Sequence, residues 1–442
     1  MQERFCGSII LPDSPRYHTA RQEFNRAIQK FPAGIAYCTD EQDVACAVRE
    51  AVQNGCTLRV RSGGHNYEGF SVGNCAAVID VGCMNKISIG NETLTVGPGA
   101  LNSAIYEAAG ASGFPFPSGT CPSVAVSGLT QGGGWGLSAR MFGLTCDSLL
   151  EATVIDACGQ RHVASNASET DLFFALSGGG GGNFGVVTSL TYRLPPQLFN
   201  VTYVSLSASN VNNDMAAQFI RQVQQWLLLS DRRFTPLARI QHNLGENKRL
   251  ILRGLYYGDA QQARASLAAF SMLGLIGTFE EMTFLQAMRI VEADYPPYEY
   301  FVTGGRFALA PFTEHEALAI VSLLDNLAQG STGCTISLYG LGGAVAEKSS
   351  CETAFFYRHA INIIALTTNW EGSKADCTNR MWFSSRYQLL ESLTCGAYIN
   401  FPSLENSNYM QAYYGENRKK LVRVKTRIDP ANVFCFPQSI RP

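Results

Sequence analysis

Between residues 110 and 190 the chain carries two glycine clusters, Gly132-Gly133-Gly134 and Gly178 through Gly182. Glycine loses more backbone freedom on folding than any other residue, so a long helix or strand does not run through such runs. The segment reads as loops whose backbone passes close to other backbone or to a large flat ligand; tight turns alone would also account for it. The flanking chain supplies regular elements to hold these loops. Glu41 to Asn54 has helical apolar spacing, through Val44, Ala45, Val48, Ala51 and Val52. Thr57-Leu58-Arg59-Val60-Arg61 alternates as a strand and stops at a glycine pair. Ala76 to Asp80 and Leu94 to Val96 read as two more short strands, and Ala100 to Ala109 returns to helical spacing. After Pro195-Pro196 come longer helices, such as Met215 to Leu229, and alternating strands, such as Leu250 to Tyr257. The pattern predicts an α+β chain with a domain boundary near 196. A basic amphipathic helix, Gly415 to Ile428, lies near the end. Its Arg418, Lys419, Lys420, Arg423, Lys425 and Arg427 read as a solvated face.

Composition narrows the classes. The 442 residues fit two to three domains at about 150 residues each. Apolar residues make up 46% and charged residues 16%, which excludes a disordered or coiled-coil chain. A net charge of -2 gives no global field to recruit nucleic acid or an anionic membrane. No run approaches the roughly 18 apolar residues of a membrane span. Met1 to Cys6 lacks the apolar core of a signal peptide, so a cytoplasmic address is the simplest reading unless a prepeptide was trimmed. The sequons at Asn91, Asn166 and Asn200 are then idle. The 14 cysteines show no metal spacing, and most read as small buried residues with free thiols.

Several motifs fail on context. Gly180 to Gly185 satisfies G-x-G-x-x-G, but the β-branched run Val186-Val187-Thr188 follows instead of a helix. There is no Walker sequence and no G-x-S-x-G elbow, and His315-Glu316 does not continue to H-E-x-x-H.

Two segments carry chemistry. Arg61-Ser62-Gly63-Gly64-His65-Asn66-Tyr67-Glu68-Gly69 follows a strand directly. Its paired glycines can turn N–H groups towards an anion such as a pyrophosphate. His65 is then either a satisfied turn residue or a neighbour of whatever the phosphates carry. The second segment runs from Ser118-Gly119-Thr120-Cys121-Pro122-Ser123-Val124 through Gly128 to Gly132-Gly133-Gly134-Trp135-Gly136. Cys121, between Gly119 and Pro122, does not read as ordinary core filler.

Taken in order, these segments and Gly178 through Val187 resemble the FAD-linked oxidases of the vanillyl-alcohol oxidase superfamily. The subgroup is the berberine-bridge-enzyme-like and oligosaccharide oxidases. The C-terminal segments Ala397-Tyr398-Ile399-Asn400-Phe401, Tyr413-Tyr414-Gly415-Glu416-Asn417 and Asp429 through Ile440 agree with it, as does Leu341 to Val345. The resemblance covers nearly the whole chain. It implies a p-cresol-methylhydroxylase-type FAD-binding domain of two subdomains, from residues 1–195 and 396–442. It implies a substrate domain, 196–395, with an antiparallel sheet backed by helices.

The resemblance also implies roles. FAD is expected to be bonded through His65 at its 8α carbon and through Cys121 at C6. Arg61, Ser62, Gly63, Gly64, Asn66, Val124, Gly128, Gly132, Gly133, Gly134, Gly182, Asn183, Gly185, Val187 and Asn400 are expected to contact it. Tyr398 is the expected base for the substrate hydroxyl proton, with Tyr67 orienting it. Trp135 replaces a tyrosine usual in relatives, and an indole cannot serve as a phenolate. Ile363-Ile364-Ala365-Leu366 lacks the Gln or Glu that many relatives carry there. Val124 goes in the family with O2 reactivity. The implied reaction is hydride removal from an alcohol, a sugar hemiacetal or a secondary metabolite, with O2 giving hydrogen peroxide. A dehydrogenase or oxidative cyclase, or a flavin-binding protein without activity, are the alternatives. Partners are a small substrate and O2, with no nucleic acid and no membrane; oligomeric state stays open.

Overall fold

The computed structural model describes residues 5–442. The reading of Met1 to Arg4 as part of a start without an apolar leader lies outside these residues. Three sheets organise the α+β fold. The first has the order Ser8–Ile10, Gly34–Tyr37, Ala77–Asp80, Leu58–Arg61; its first pair is antiparallel and the others are parallel. The helix Glu41–Gln53 makes the crossover. Asp40 caps it by accepting from the N–H of Asp43, and Val44, Ala45, Val48 and Ala51 form its buried face. The second sheet is antiparallel, in the order Ile87–Ile89, Thr93–Val96, Val186–Arg193, Leu149–Ile155, Arg161–Ser165.

The third sheet has eight antiparallel strands. Their order is Ile276–Thr283, Asn200–Val211, Lys248–Tyr256, Leu237–Asn243, Ser331–Gly340, Asn362–Trp370, Tyr300–Ala308, Cys395–Ala397. Helices Asn213–Leu229, Glu314–Ser322 and Asp376–Ser392 cover one face, and their apolar sides join the largest core. Asn212 starts the first of these by accepting from the N–H of Met215. Phe219, Ile220, Val223 and Leu227 then face inward at helical spacing. The other face of this sheet looks towards the glycine loops.

After Ala397 the chain leaves the large sheet. Tyr414, Leu421, Val424 and Ile440 pack into the core of the second sheet, and Phe434 into that of the first. Two expectations need correction here. The closing helix is Arg418–Ile428, preceded by a short 3-10 turn, and Lys425 is not on its solvated face. Lys425 is fully buried, and its Nζ donates to Asp429 Oδ2, Asn183 O and Phe434 O, each at 2.7 Å. A long side chain on an otherwise polar face has been drawn into the core because three acceptors wait there. The cysteines, secondly, are mostly not core residues. Only Cys38, Cys146 and Cys334 are buried, because most of the others fall in loops and at element ends.

Candidate active site

The strand Leu58–Arg61 delivers the first loop. Gly64 has φ +66, a left-handed value that a side chain would strain. The turn it makes presents Ser62, Gly63, Gly64, His65, Asn66 and Tyr67 to a cavity of about 550 Å³. The imidazole of His65 stacks on Phe24 at 4.2 Å, and its Nε2 lies 2.9 Å from the Ser123 hydroxyl. Burial drops its pKa to about 4, with a smaller opposing effect from Ser123. The ring is therefore neutral at pH 7, with Nδ1 left over as its second nitrogen.

The second loop comes from the other side. Cys121 Sγ stands 3.7 Å from the same Ser123 hydroxyl. Burial pushes the Cys121 thiol up, opposed by hydrogen bonds from Ser123. One serine thus lies between the histidine and the cysteine named from sequence. Ser123 stood inside the recognised motif without a role; a hydroxyl two residues after the cysteine was the available signal.

Glycines on the cavity floor test whether a large cofactor fits. Gly128 and Gly181 have ordinary φ values, and the atoms nearest an added Cβ lie 3.9 and 3.7 Å away. Neither backbone conformation nor protein contact requires glycine at either position, so a flat ligand lying on this backbone fits them. Val124, Gly182, Asn183, Gly185, Val187, Asn400 and Trp135 border the same cavity. Asn183 is also structural: it donates to Gly179 O and Gly180 O and accepts from the N–H of Ile440.

Five of the expected residues sit elsewhere. Arg61 turns away from the cavity into a buried ion pair with Asp80 and a longer one with Glu23 at 3.4 Å. Gly132, Gly133 and Gly134 face protein: a Cβ on Gly132 would lie 2.0 Å from Asn400 Oδ1. Tyr398 is 1% exposed and lies behind the wall. Its oxygen is approached by the N–H of Gly134 at 3.1 Å, that of Trp135 at 3.3 Å and Asn400 Nδ2 at 3.1 Å. Burial still pushes its pKa up to about 12, against those hydrogen bonds. Tyr67 lies on the wall, stacked on Phe401 with ring centres 5.4 Å apart. Burial raises its pKa well above 10. The Trp135 indole donates to Gly340 O at 2.8 Å and meets Tyr339 edge-on.

The sheet face forms the opposite wall with residues that sequence reasoning did not single out. Arg239, Gln241, Thr335, Ser337, Tyr339 and Thr367 project from it, and Tyr295 and Glu299 close one end. The Tyr295 hydroxyl meets Thr120 Oγ1 at 2.5 Å, which ties this end to the Cys121 loop. Strand alternation alone does not tell which face of a sheet borders a cavity. Among the described residues no group of His, Cys, Asp and Glu could hold a metal, and no helix is long and apolar enough to cross a membrane.

Comparison with known proteins gives a consistent result. A family described as an FAD binding domain matches residues 32–165, and one described as berberine and berberine-like matches 397–441. The uncharacterized FAD-linked oxidoreductase YgaK of Bacillus subtilis is 32% identical over 99% of this chain and 98% of its own. The xylooligosaccharide oxidase of Thermothelomyces thermophilus is 27% identical over 98% of this chain and 92% of its own. The solved berberine-bridge-enzyme-like protein 28 of Arabidopsis thaliana superimposes with a TM-score of 0.87 at 26% identity, over 98% of both chains. Glucooligosaccharide oxidase of Acremonium strictum superimposes at 0.90 with 22% identity, over 99% of this chain and 97% of its own, and therefore speaks for the fold. That protein is described as carrying a 6-S-cysteinyl, 8α-N1-histidyl FAD. Full-length identity above 30% to YgaK, with both family matches in order, makes this chain an FAD-linked oxidoreductase of the berberine-bridge-enzyme-like family.

Proposed function

We propose that this chain is a bicovalent flavin oxidase. It holds FAD through His65 and Cys121, oxidises a hydroxyl-bearing carbon of a small organic substrate, and uses O2 as acceptor to give hydrogen peroxide. Residues 1–195 and 396–442 hold the cofactor, and 196–395 supply the substrate wall. The observation that carries this reading is the convergence of His65 and Cys121, from separate loops, on the Ser123 hydroxyl at one cavity wall. FAD, when bound, supplies the two-electron acceptance that no side chain offers.

The chain's own residues do the rest. His65 would hold the FAD through a bond from a ring nitrogen, and its low pKa keeps the imidazole neutral with a lone pair available. Ser123 fixes the ring through Nε2 and leaves Nδ1 for that bond. Tyr398 is the proposed base and would act as the phenolate: three N–H groups point at its oxygen and favour that form against burial, and Asn400, one of these donors, borders the cavity. Tyr67, on the wall, orients the hydroxyl. Val124 borders the same cavity, and a valine at this place goes in the family with O2 reactivity.

Acid precipitation of purified protein tests the attachment. Wild type is expected to keep its flavin in the pellet. His65→Ala and Cys121→Ala should each keep one link, and the double variant none. Colourless protein with no flavin by mass overturns the reading. An alcohol and oligosaccharide screen with peroxide detection then tests the acceptor. Slow reoxidation of the reduced protein by air would favour the dehydrogenase.

A further inference from the structure

The large buried arginines are answered in contact by the protein. Arg61 pairs with Asp80 and Glu23, Arg306 with Glu391, and Arg358 with Asp147. Arg140 donates to the carbonyls of Leu227, Ser230, Asp231 and Leu341. Arg239, half-buried, has no charged partner in contact: the group it hydrogen-bonds is the hydroxyl of Tyr295. It stands mid-strand in Leu237–Asn243, inside the eight-stranded sheet, on the cavity wall. Among the described residues no carboxylate or carbonyl contacts it. Its neighbours are the phenols of Tyr295 and Tyr339, with Glu299 acting from farther off. Burial opposes the charge, but these neighbours outweigh it and keep the guanidinium protonated. Arg253, the next cation on this wall, is paired with Asp294, and Arg59 donates to the carbonyls of Leu58 and Cys435, so among the described arginines of the lining Arg239 alone meets neither carboxylate nor carbonyl in contact.

A half-buried charge with no counter-charge in contact is costly, and an arginine presents a planar fork that matches a carboxylate. The register sets hydroxyls beside it. Arg239 lies opposite Ser337, Gln241 opposite Thr335, and Thr335 opposite Thr367. These side chains line the same cavity. A ligand lying along this face meets one guanidinium and then a row of small donors and acceptors.

We infer that Arg239 receives a carboxylate of the substrate, and that the substrate class is a hydroxylated organic acid whose hydroxyls run along Ser337, Thr335 and Thr367. The inference rests on the proposed function for placing the substrate in this cavity. Purified holoprotein would be titrated with D-glucuronate, its methyl ester and D-glucose, and with mandelate and its methyl ester. Thermal shift and the flavin absorbance spectrum would both be read. Each acid is expected to bind about tenfold or more tightly than its ester, about 1.4 kcal/mol. Arg239→Gln should remove that preference at unchanged flavin content, and Arg239→Lys should restore part of it. The inference is overturned if neither acid binds tighter than its ester to wild type, a result that needs no variant to fold. It is equally overturned if the preference survives in Arg239→Gln. Flavin retention after acid precipitation judges the proposed function separately, because the thermal shift reads acid against ester with or without a bound flavin.

Discussion

The oxygen of Tyr398 receives three N–H donors, and no acceptor for its own proton is found among the described residues. A neutral phenol accepts comfortably from two donors at most. This arrangement suits an oxygen that carries negative charge for part of a cycle, while burial suits the neutral form. Tyr398→Phe is therefore expected to lower kcat by about 10²- to 10⁴-fold, the usual worth of a positioned base, at unchanged flavin content. Tyr67→Phe should act mainly on KM. The reverse ranking in steady-state kinetics would move proton removal to Tyr67, which lies on the cavity wall. That His65, Cys121 and Tyr67 would come to one cavity was legible in sequence because their motifs are short and contiguous. The place of Arg239 on the same cavity was not, because one strand's alternation does not name the face that borders a cavity. Arg61 was misassigned by proximity: it neighbours the loop in sequence, but its side chain follows the strand inward to Asp80.

Among the elements, helix Glu41–Gln53 and strand Leu58–Arg61 follow the local periodicity closely. Long-range ties between elements had no such signal. His162, on strand Arg161–Ser165, reaches Asp156 at 3.0 Å and Glu169 at 3.2 Å, just before helix Thr170–Leu176. Glu169 in turn meets Arg427 of the closing helix at 3.0 Å. Burial lowers the His162 pKa, but its two carboxylate partners outweigh that and raise it overall. A raised histidine pKa means stabilisation that is fully present below the unfolded value of about 6.5 and lost as pH rises through the folded value. Urea melts should show His162→Gln less stable than wild type at pH 5.5, by under about 1 kcal/mol at this partly exposed site. The two should coincide at pH 8.5. An equal gap at both pH values would refute the assignment.

The whole molecule is fastened by its last residues. Lys425 and Asp429 form a fully buried pair that also binds the carbonyl of Asn183 and the N–H groups of Val433 and Phe434. The glycine loop and the tail are thereby one structure. Lys425→Met removes one member and leaves a buried carboxylate without its counter-charge, which costs about 3–5 kcal/mol. Chemical denaturation should register that loss, and flavin retention should fall with it. A change of under about 0.5 kcal/mol, the usual range for exposed sites, would return Lys425 to the solvated face read from sequence.

Three residues of this tail, Phe434, Phe436 and Gln438, are themselves part of the cavity wall. A nascent chain emerges from the ribosome with the glycine loops well ahead of these residues. Until they are made, the pocket stands open on one side, however well the earlier loops have folded. The cavity is therefore walled on all sides only once residues 434–438 have docked against loops made some 250 residues earlier.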